Sequence, residues 1–225
     1  ASQRRSRKTM ARNEIEYFYS AHSAFAYIGS EKLYEICSRH QCALIHRPIA
    51  LSPVIEQVGA PPFAGRTQAH VDYFFGREIE RWAEFRRVPF VPYRPTHHDN
   101  PLELASGLLI AAMDQGLNID LLVHAVLQAH WRDDIDLADA EALARCAESV
   151  GVDPEPLLQK AMAPDIQARF DRNTQDAIAR NVFGSPTYVV NGDSFYGQDH
   201  LELIDHALRR PFGPPRFVNP PVGPS

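Results

Sequence analysis

Ser23 stands where a short strand gives way to a helix: the stretch "HSAFAYIGSEKL", residues 22 to 33, follows the alternating run "IEYFY". The N-terminus of a helix presents unpaired N–H groups and the positive end of the helix dipole, so it favours an anion. A serine hydroxyl there adds a short charge-assisted hydrogen bond, and the same field lowers the pKa of a thiol from about 8.5 toward neutral. The chemistry on offer is the holding of an anion, a thiolate included. Taken by itself, Ser23 reads first as a plain N-cap. His22 beside it titrates near neutral pH and suits an acid or base, or a strand-end histidine with no catalytic task.

Other reactive side chains carry less. "THHDN", residues 96 to 100, places His97, His98 and Asp99 together, but no further ligand lies at a recognised metal spacing, so a polar loop ahead of a helix is expected and no metal. The cysteines Cys37, Cys42 and Cys146 are odd in number and form no C-x-x-C pair, which indicates neither a disulfide framework nor a dithiol centre and fits a reducing, cytoplasmic setting. Cys37 falls in an apolar pattern and reads as a small buried thiol. Tyr17, Phe25, Tyr27, Phe63, Phe74 and Trp131 suit either a flat substrate or the core.

The elements that position these residues follow from periodicity. Residues 15 to 19 read as a strand rich in Ile, Tyr and Phe. From Ala24 to His40, Phe25, Ile28, Leu33, Ile36 and Cys37 recur near every third or fourth position, which predicts a helix. "CALIHRP", 42 to 48, is a second strand, so a βαβ unit with parallel strands is expected. Helical patterns then run from Arg66 to Phe85 and from Pro101 to Asn181, interrupted at Gly116, at Asp133 to Asp136 and at Pro154. "PTYVV", Asn191-Gly192 and "SFYG" predict a two-residue hairpin, and a last helix from Asp199 to Arg209 carries Leu201, Ile204 and Leu208 on one face. The order β-α-β, helices, β-β-α is an α/β, thioredoxin-like arrangement interrupted by an all-helical insertion. It divides the chain into a disordered basic tail (1–13), a thioredoxin-like domain (14–65 and 182–210), a helical insertion domain (66–181) and a proline-rich tail (211–225).

Composition narrows the function. The chain has 225 residues, 44% of them hydrophobic, and a formal net charge of -5, so it lacks a global basic face for nucleic acid. Its longest apolar stretch, "LELASGLLIAAM", contains Glu103 and is shorter than the ~20 residues a membrane span needs, so no membrane role is expected. The N-terminal cluster of Arg4, Arg5, Arg7, Lys8 and Arg12 has no apolar run behind it, unlike a secretory signal.

The stretch "EYFYSAHSAFAYIGSEKL" resembles the opening of the 2-hydroxychromene-2-carboxylate isomerase and kappa-class glutathione transferase family, a DsbA-like branch of the thioredoxin fold. "HRPIAL" at 46 to 51, "GAPP" leading to "REIERWAEFRRVPFVP" at 59 to 92, and "VFGSPTYVVNGDSFYGQDHLELI" at 182 to 204 match in the same order, and the resemblance covers roughly residues 14 to 210. It implies that glutathione lies across the fold with its sulfur at the Ser23 hydroxyl. Redox relatives carry a cysteine at that position and another three residues on; here the pair is Ser23 and Ala26, which speaks against a dithiol oxidoreductase. The resemblance further implies a cis bond before Pro186, backbone pairing of Ser185 with the cysteine part of glutathione, and capture of the γ-glutamyl end by Gln198 and Asp199. It departs at Ala24 for a proline, at Ala60 for an asparagine, and near Val71 for a lysine, with Arg66 and His70 as approximate substitutes. The implied activity is glutathione-dependent interconversion of 2-hydroxychromene-2-carboxylate and trans-o-hydroxybenzylidenepyruvate, or a related aromatic 2-oxo acid, by transient thiolate addition. The alternatives are a kappa-like transferase and a non-catalytic binding protein that has lost glutathione. The resemblance also implies a homodimer acting on a small aromatic substrate.

Overall fold

The computed structural model describes residues 13–223; the expected basic tail lies outside them apart from Asn13. The chain opens with β1 (Glu14–Tyr19), α1 (Ala24–His40) and β2 (Ala43–Pro48), followed by the short α2 (Leu51–Gln57). After a 3-10 turn at Phe63–Gly65 come α3 (Gln68–Asp72), a wide π turn at Tyr73–Arg77, and α4 (Glu78–Arg86). The helices α5 (Glu103–Asp114), α6 (Asp120–Asp133), α7 (Ala140–Ser149), α8 (Glu155–Ala161) and α9 (Pro164–Ala179) precede the hairpin of β3 (Thr187–Val190) and β4 (Asp193–Tyr196). A 3-10 turn at Gln198–His200 leads into α10 (Leu201–Arg209).

The four strands form one sheet in the order β2-β1-β3-β4. β1 and β2 are parallel, with Glu14 opposite Ala43 and Tyr19 opposite Pro48, and α1 is the crossover between them. β3 runs antiparallel to both β1 and β4. Asn191 and Gly192 both take positive φ, 51° and 83°, the backbone that a tight hairpin matched to strand twist requires.

Alternation along β1 divides the interior in two. Ile15, Tyr17 and Tyr19 face a large core shared with Ile28, Leu33 and Ile36 of α1, Tyr188 and Val190 of β3, and the apolar faces of α5 and α6. Phe18 points the other way, into a smaller cluster with Ile49, Val54, Ala177, Val182 and Val189. Complete burial of such a side chain contributes about 2–3 kcal/mol. Thus α9 covers the second sheet face with its C-terminal half. Two polar contacts fix it there: the Asn173 Nδ2 donates to the Pro48 carbonyl (3.2 Å), and the Ala50 N–H donates to Thr174 Oγ1 (3.0 Å).

Three elements depart from the sequence expectation. α10 starts at Leu201 rather than Asp199, because Gly197 (φ 99°) turns the chain into a 3-10 segment first. The run from Arg66 to Phe85 is broken by the π turn. α2 carries Pro53 within its first turn, where no intrahelical N–H bond is lost. The C-terminal segment 211–223 has no helix or strand and is exposed; Phe212 rests near Phe195 and His206, with ring centroids 6.1 and 5.0 Å away. Among the described residues no helix is long and apolar enough to cross a membrane.

Candidate functional site

Ser23 caps α1 in the extended conformation (φ -71°, ψ 122°), with its Oγ accepting from the Ala26 N–H at 3.2 Å. The same hydroxyl donates to the Ser185 carbonyl at 3.2 Å. No acidic residue stands in the first turn of α1, so the positive end of its dipole is left uncompensated by its own side chains. Ser185 precedes Pro186 through a cis peptide bond, and its Oγ accepts from the Ser20 N–H at 2.9 Å. Ser20, Ser23 and Ser185 thereby lock the end of β1, the start of α1 and the entry to β3 into one corner.

The Gly197 N–H donates to the Pro186 carbonyl at 2.9 Å and connects this corner to Gln198 and Asp199. Gln198 is fully buried, and its Cβ lies so near α1 that a Cβ on Gly29 would stand only 2.6 Å from it. Arg86 of α4 donates through Nε to Gln198 Oε1 (2.6 Å) and through Nη2 to the Gln198 carbonyl (3.0 Å). The Asp199 carboxylate is exposed and lies 3.5 Å from His200 Nδ1. Gly29 is six residues beyond Ser23, about 9 Å along a helix axis, close to the roughly 10 Å that three extended residues span.

Three of the six aromatics named from sequence, Phe25, Phe63 and Phe74, are at least partly exposed, and three are buried: Tyr17 in the sheet core, and Tyr27 and Trp131 against the helices. Phe25 meets Phe74 (5.3 Å between centroids), Phe74 meets Phe75 (5.0 Å), and Phe75 meets Phe63 (5.5 Å). The Arg94 guanidinium lies over Phe63 at 5.1 Å and forms two hydrogen bonds with Asp99, at 2.7 and 2.6 Å. His98, next in chain to Asp99, stacks on His22 at 4.3 Å. The contacts therefore lead from two residues after Ser23 round to the residue before it.

Arg66 is half-buried, with its guanidinium 5.1 Å from the Phe75 ring centre, Nε donating to the Pro61 carbonyl (3.2 Å) and Nη1 donating to His70 Nε2 (2.9 Å). No carboxylate among the described residues pairs with it. Burial pushes the Tyr196 phenol up and the Arg66 charge opposes that, so the field of Arg66 reaches β4. Ala60 and Val71 offer no polar side chain, and Val71 lies within α3.

His22, His98 and His130 come together although two of them lie far from Ser23 in sequence. His130 Nδ1–H donates to the Ile135 carbonyl (2.9 Å), so its Nε2 is the acceptor for His98 Nδ1–H at 2.9 Å. Burial, then the neighbouring histidines and Arg94, push His98 well below the ordinary range. Among the described residues, no group of three or more His, Cys, Asp or Glu side chains is arranged to hold a metal ion. Cys37, Cys42 and Cys146 are all buried; burial pushes the Cys37 thiol up to about 12 and the Cys146 thiol up to about 11. Sequence reasoning gave no role to Ser20, Phe75, Arg86, Arg94 and His130, although Ser20 and Arg86 lie within the matched stretches 16–33 and 59–92.

Comparison with known proteins places this geometry. A family profile described as DSBA-like thioredoxin domain matches residues 14–209. The 2-hydroxychromene-2-carboxylate isomerase of Sphingobium xenophagum is 26% identical over 194 residues, spanning 86% of this chain and 97% of the relative. The glutathione S-transferase kappa 1 of Rattus norvegicus is 24% identical over 205 residues, spanning 86% and 90%. Among solved structures, a 2-hydroxychromene-2-carboxylate isomerase superposes with TM-score 0.75 at 22% identity, over 88% of this chain and 95% of that one. A probable DsbA oxidoreductase of Streptomyces coelicolor superposes with TM-score 0.71 at 16% identity, over 92% and 94%. A βαβ unit and a ββα unit in one sheet, a cis-proline facing the first helix, and a profile match across nearly the whole chain have one reading: the protein belongs to the DsbA-like thioredoxin domain family.

Proposed function

We propose that the protein is a glutathione-dependent isomerase of the 2-hydroxychromene-2-carboxylate type, acting on that compound or a related aromatic 2-oxo acid. One observation carries the reading: a serine hydroxyl at the uncompensated N-terminus of α1, touching the backbone of a cis-proline loop. The residues present fit glutathione. Ser23 would hold the sulfur by turning its one hydroxyl hydrogen from the Ser185 carbonyl to the thiolate, which frees the Ser185 backbone for the cysteine part, and Asp199 with the start of the Gln198–His200 turn would hold the γ-glutamyl end. Gln198 itself would act by shaping that turn, since Arg86 occupies its side-chain oxygen. Glutathione supplies a thiolate nucleophile when bound, and the chain's part is to keep that sulfur deprotonated and to hold a flat substrate along Phe25, Phe74 and Phe63. A dithiol exchange reaction finds no support, because Ala26 stands three residues after Ser23 and the cysteines are buried with raised thiol pKa values.

Calorimetric titration with reduced glutathione tests the reading. Binding is expected to release a proton near neutral pH, as the thiol pKa falls from about 8.5. Absence of heat at millimolar glutathione sinks it, and turnover of the chromene carboxylate without net conjugate formation separates isomerase from kappa-like transferase.

Arg66 takes the place of the lysine that the family resemblance puts near Val71. As a half-buried cation without a carboxylate partner among the described residues, it suits the glycine carboxylate of glutathione. Arg66→Ala is expected to raise the glutathione Kd about tenfold, or about 1.4 kcal/mol, with Arg66→Lys retaining most of the affinity. An unchanged Kd in the alanine variant removes Arg66 from the site.

A further inference from the structure

His22 presents a neutral N–H donor one residue before Ser23, and the thiolate chemistry above leaves it unused. Ser20 is fully buried, and its hydroxyl has one side-chain partner among the described residues, His22 Nδ1 at 2.6 Å. A buried hydroxyl that only accepted would leave its own hydrogen unsatisfied, so Ser20 donates and His22 Nδ1 accepts. The proton of the neutral ring then sits on Nε2, which has no protein partner among the described residues. The rest of the residue is fixed: Trp131 Nε1–H donates to the His22 carbonyl at 2.8 Å, and the ring stacks on His98, itself tied to His130.

Every group facing the ring keeps it uncharged or is already neutralised. Burial first, then His130 of α6 and Arg94 of the loop before α5, push His22 down to about 3, while Asp99 opposes them with its carboxylate committed to Arg94. His98 is depressed for the same reasons and adds no charge.

Resting on the thiolate-addition reading, we propose that His22 is a catalytic residue of this site, its Nε2–H hydrogen-bonding the carbonyl oxygen of an α,β-unsaturated ketone as a thiolate adds across the double bond. In that step the sulfur–carbon bond forms at the far alkene carbon, the alkene π pair shifts toward the carbonyl, and the carbonyl π pair moves onto oxygen. Elimination after rotation returns both pairs and releases the thiolate. His22 keeps its proton throughout, because a neutral imidazole is a weak acid, and it stabilises the developing negative charge by a fixed hydrogen bond. The substrate class is a conjugated 2-oxo acid whose ketone oxygen reaches this N–H.

Two readouts test it. In 15N-labelled protein, assigned with His22→Ala, the His22 ring is expected to show the Nε2–H tautomer without protonation from about pH 5.5 to pH 8. In turnover, His22→Ala is expected to lose about 100-fold in kcat and His22→Gln to recover about tenfold of that through its amide N–H. Both variants keep the glutathione Kd within about threefold, since the sulfur site stays intact. An Nδ1–H tautomer, a protonated ring in that range, or full kcat in a folded His22→Ala overturns the proposal while leaving wild-type turnover standing. A wild-type protein that neither binds glutathione nor turns over the ketone sinks the parent reading, and the role of His22 with it.

Discussion

Replacing Ser23 with alanine is expected to lower kcat/KM for the proposed glutathione-dependent reaction about 10²–10³-fold, the usual loss when one preorganised donor is removed from a developing anion. The hydroxyl is the group in contact with both the α1 cap and the cis-proline loop, whereas the helix N–H groups persist in the variant. Losing the donor raises the thiol pKa of bound glutathione, so the fraction present as thiolate falls at any pH below it. The ratio of wild-type to variant activity therefore narrows as pH rises, as the variant's thiol ionises on its own. Ultraviolet thiolate absorbance against pH measures this shift directly. The cap is lost as well, at about 1 kcal/mol of stability, so a urea melt must show both proteins folded under assay conditions. Ser23→Thr restores a hydroxyl and is expected to regain most of the activity. Equal thiol pKa values in wild type and Ser23→Ala would leave Ser23 a cap and nothing more.

How much of this site could be read in the sequence depended on the distance over which each signal acts. α1 was legible to the residue, because its cap, its apolar period and its end at His40 are all local. The hairpin was legible through Asn191-Gly192, whose backbone preference needs no partner. The start of α10 was not, since Gln198 is held by Arg86, which comes 112 residues earlier. The helical pattern after Pro154 gave α8 and α9 as one run, without the break between Ala161 and Pro164 and without what α9 meets, and the apolar surface it covers is assembled from β1, β3 and α2. His22 and the pair at 97 and 98 were visible as types, yet the stacking of His22 on His98 sits beside His130, which α6 delivers from 32 residues further along the chain. Ser23 was visible as a hydroxyl at a helix start, whereas Ser20 acts through a buried bond to His22 that no spacing announces.

Gly29→Ala is expected to destabilise the protein by about 2 kcal/mol, the opposite sign to that expected from helix propensity. In an exposed helix interior, alanine would gain roughly 0.5–1 kcal/mol over glycine. Here the added Cβ would stand 2.6 Å from Gln198 Cβ, 3.2 Å from Leu201 Cδ1 and 3.4 Å from the Tyr188 hydroxyl. The first of these atoms is fixed to the backbone of the 3-10 turn, and Arg86 grips that turn by both its carbonyl and its side chain. The turn cannot retreat from α1 without straining or breaking those bonds, so the clash is relieved only by moving the segment that carries Asp199. Ser23, about 9 Å away along α1, stays in place. The variant should consequently bind glutathione about tenfold more weakly while keeping kcat within about threefold, since the proposed γ-glutamyl contact moves and the proposed sulfur contact does not. Thermal melts and calorimetric titration on the same preparation check both halves. A raised Tm would mean that the α1 backbone yields at Gly29. A lowered Tm with unaltered affinity would show that Asp199 does not hold glutathione.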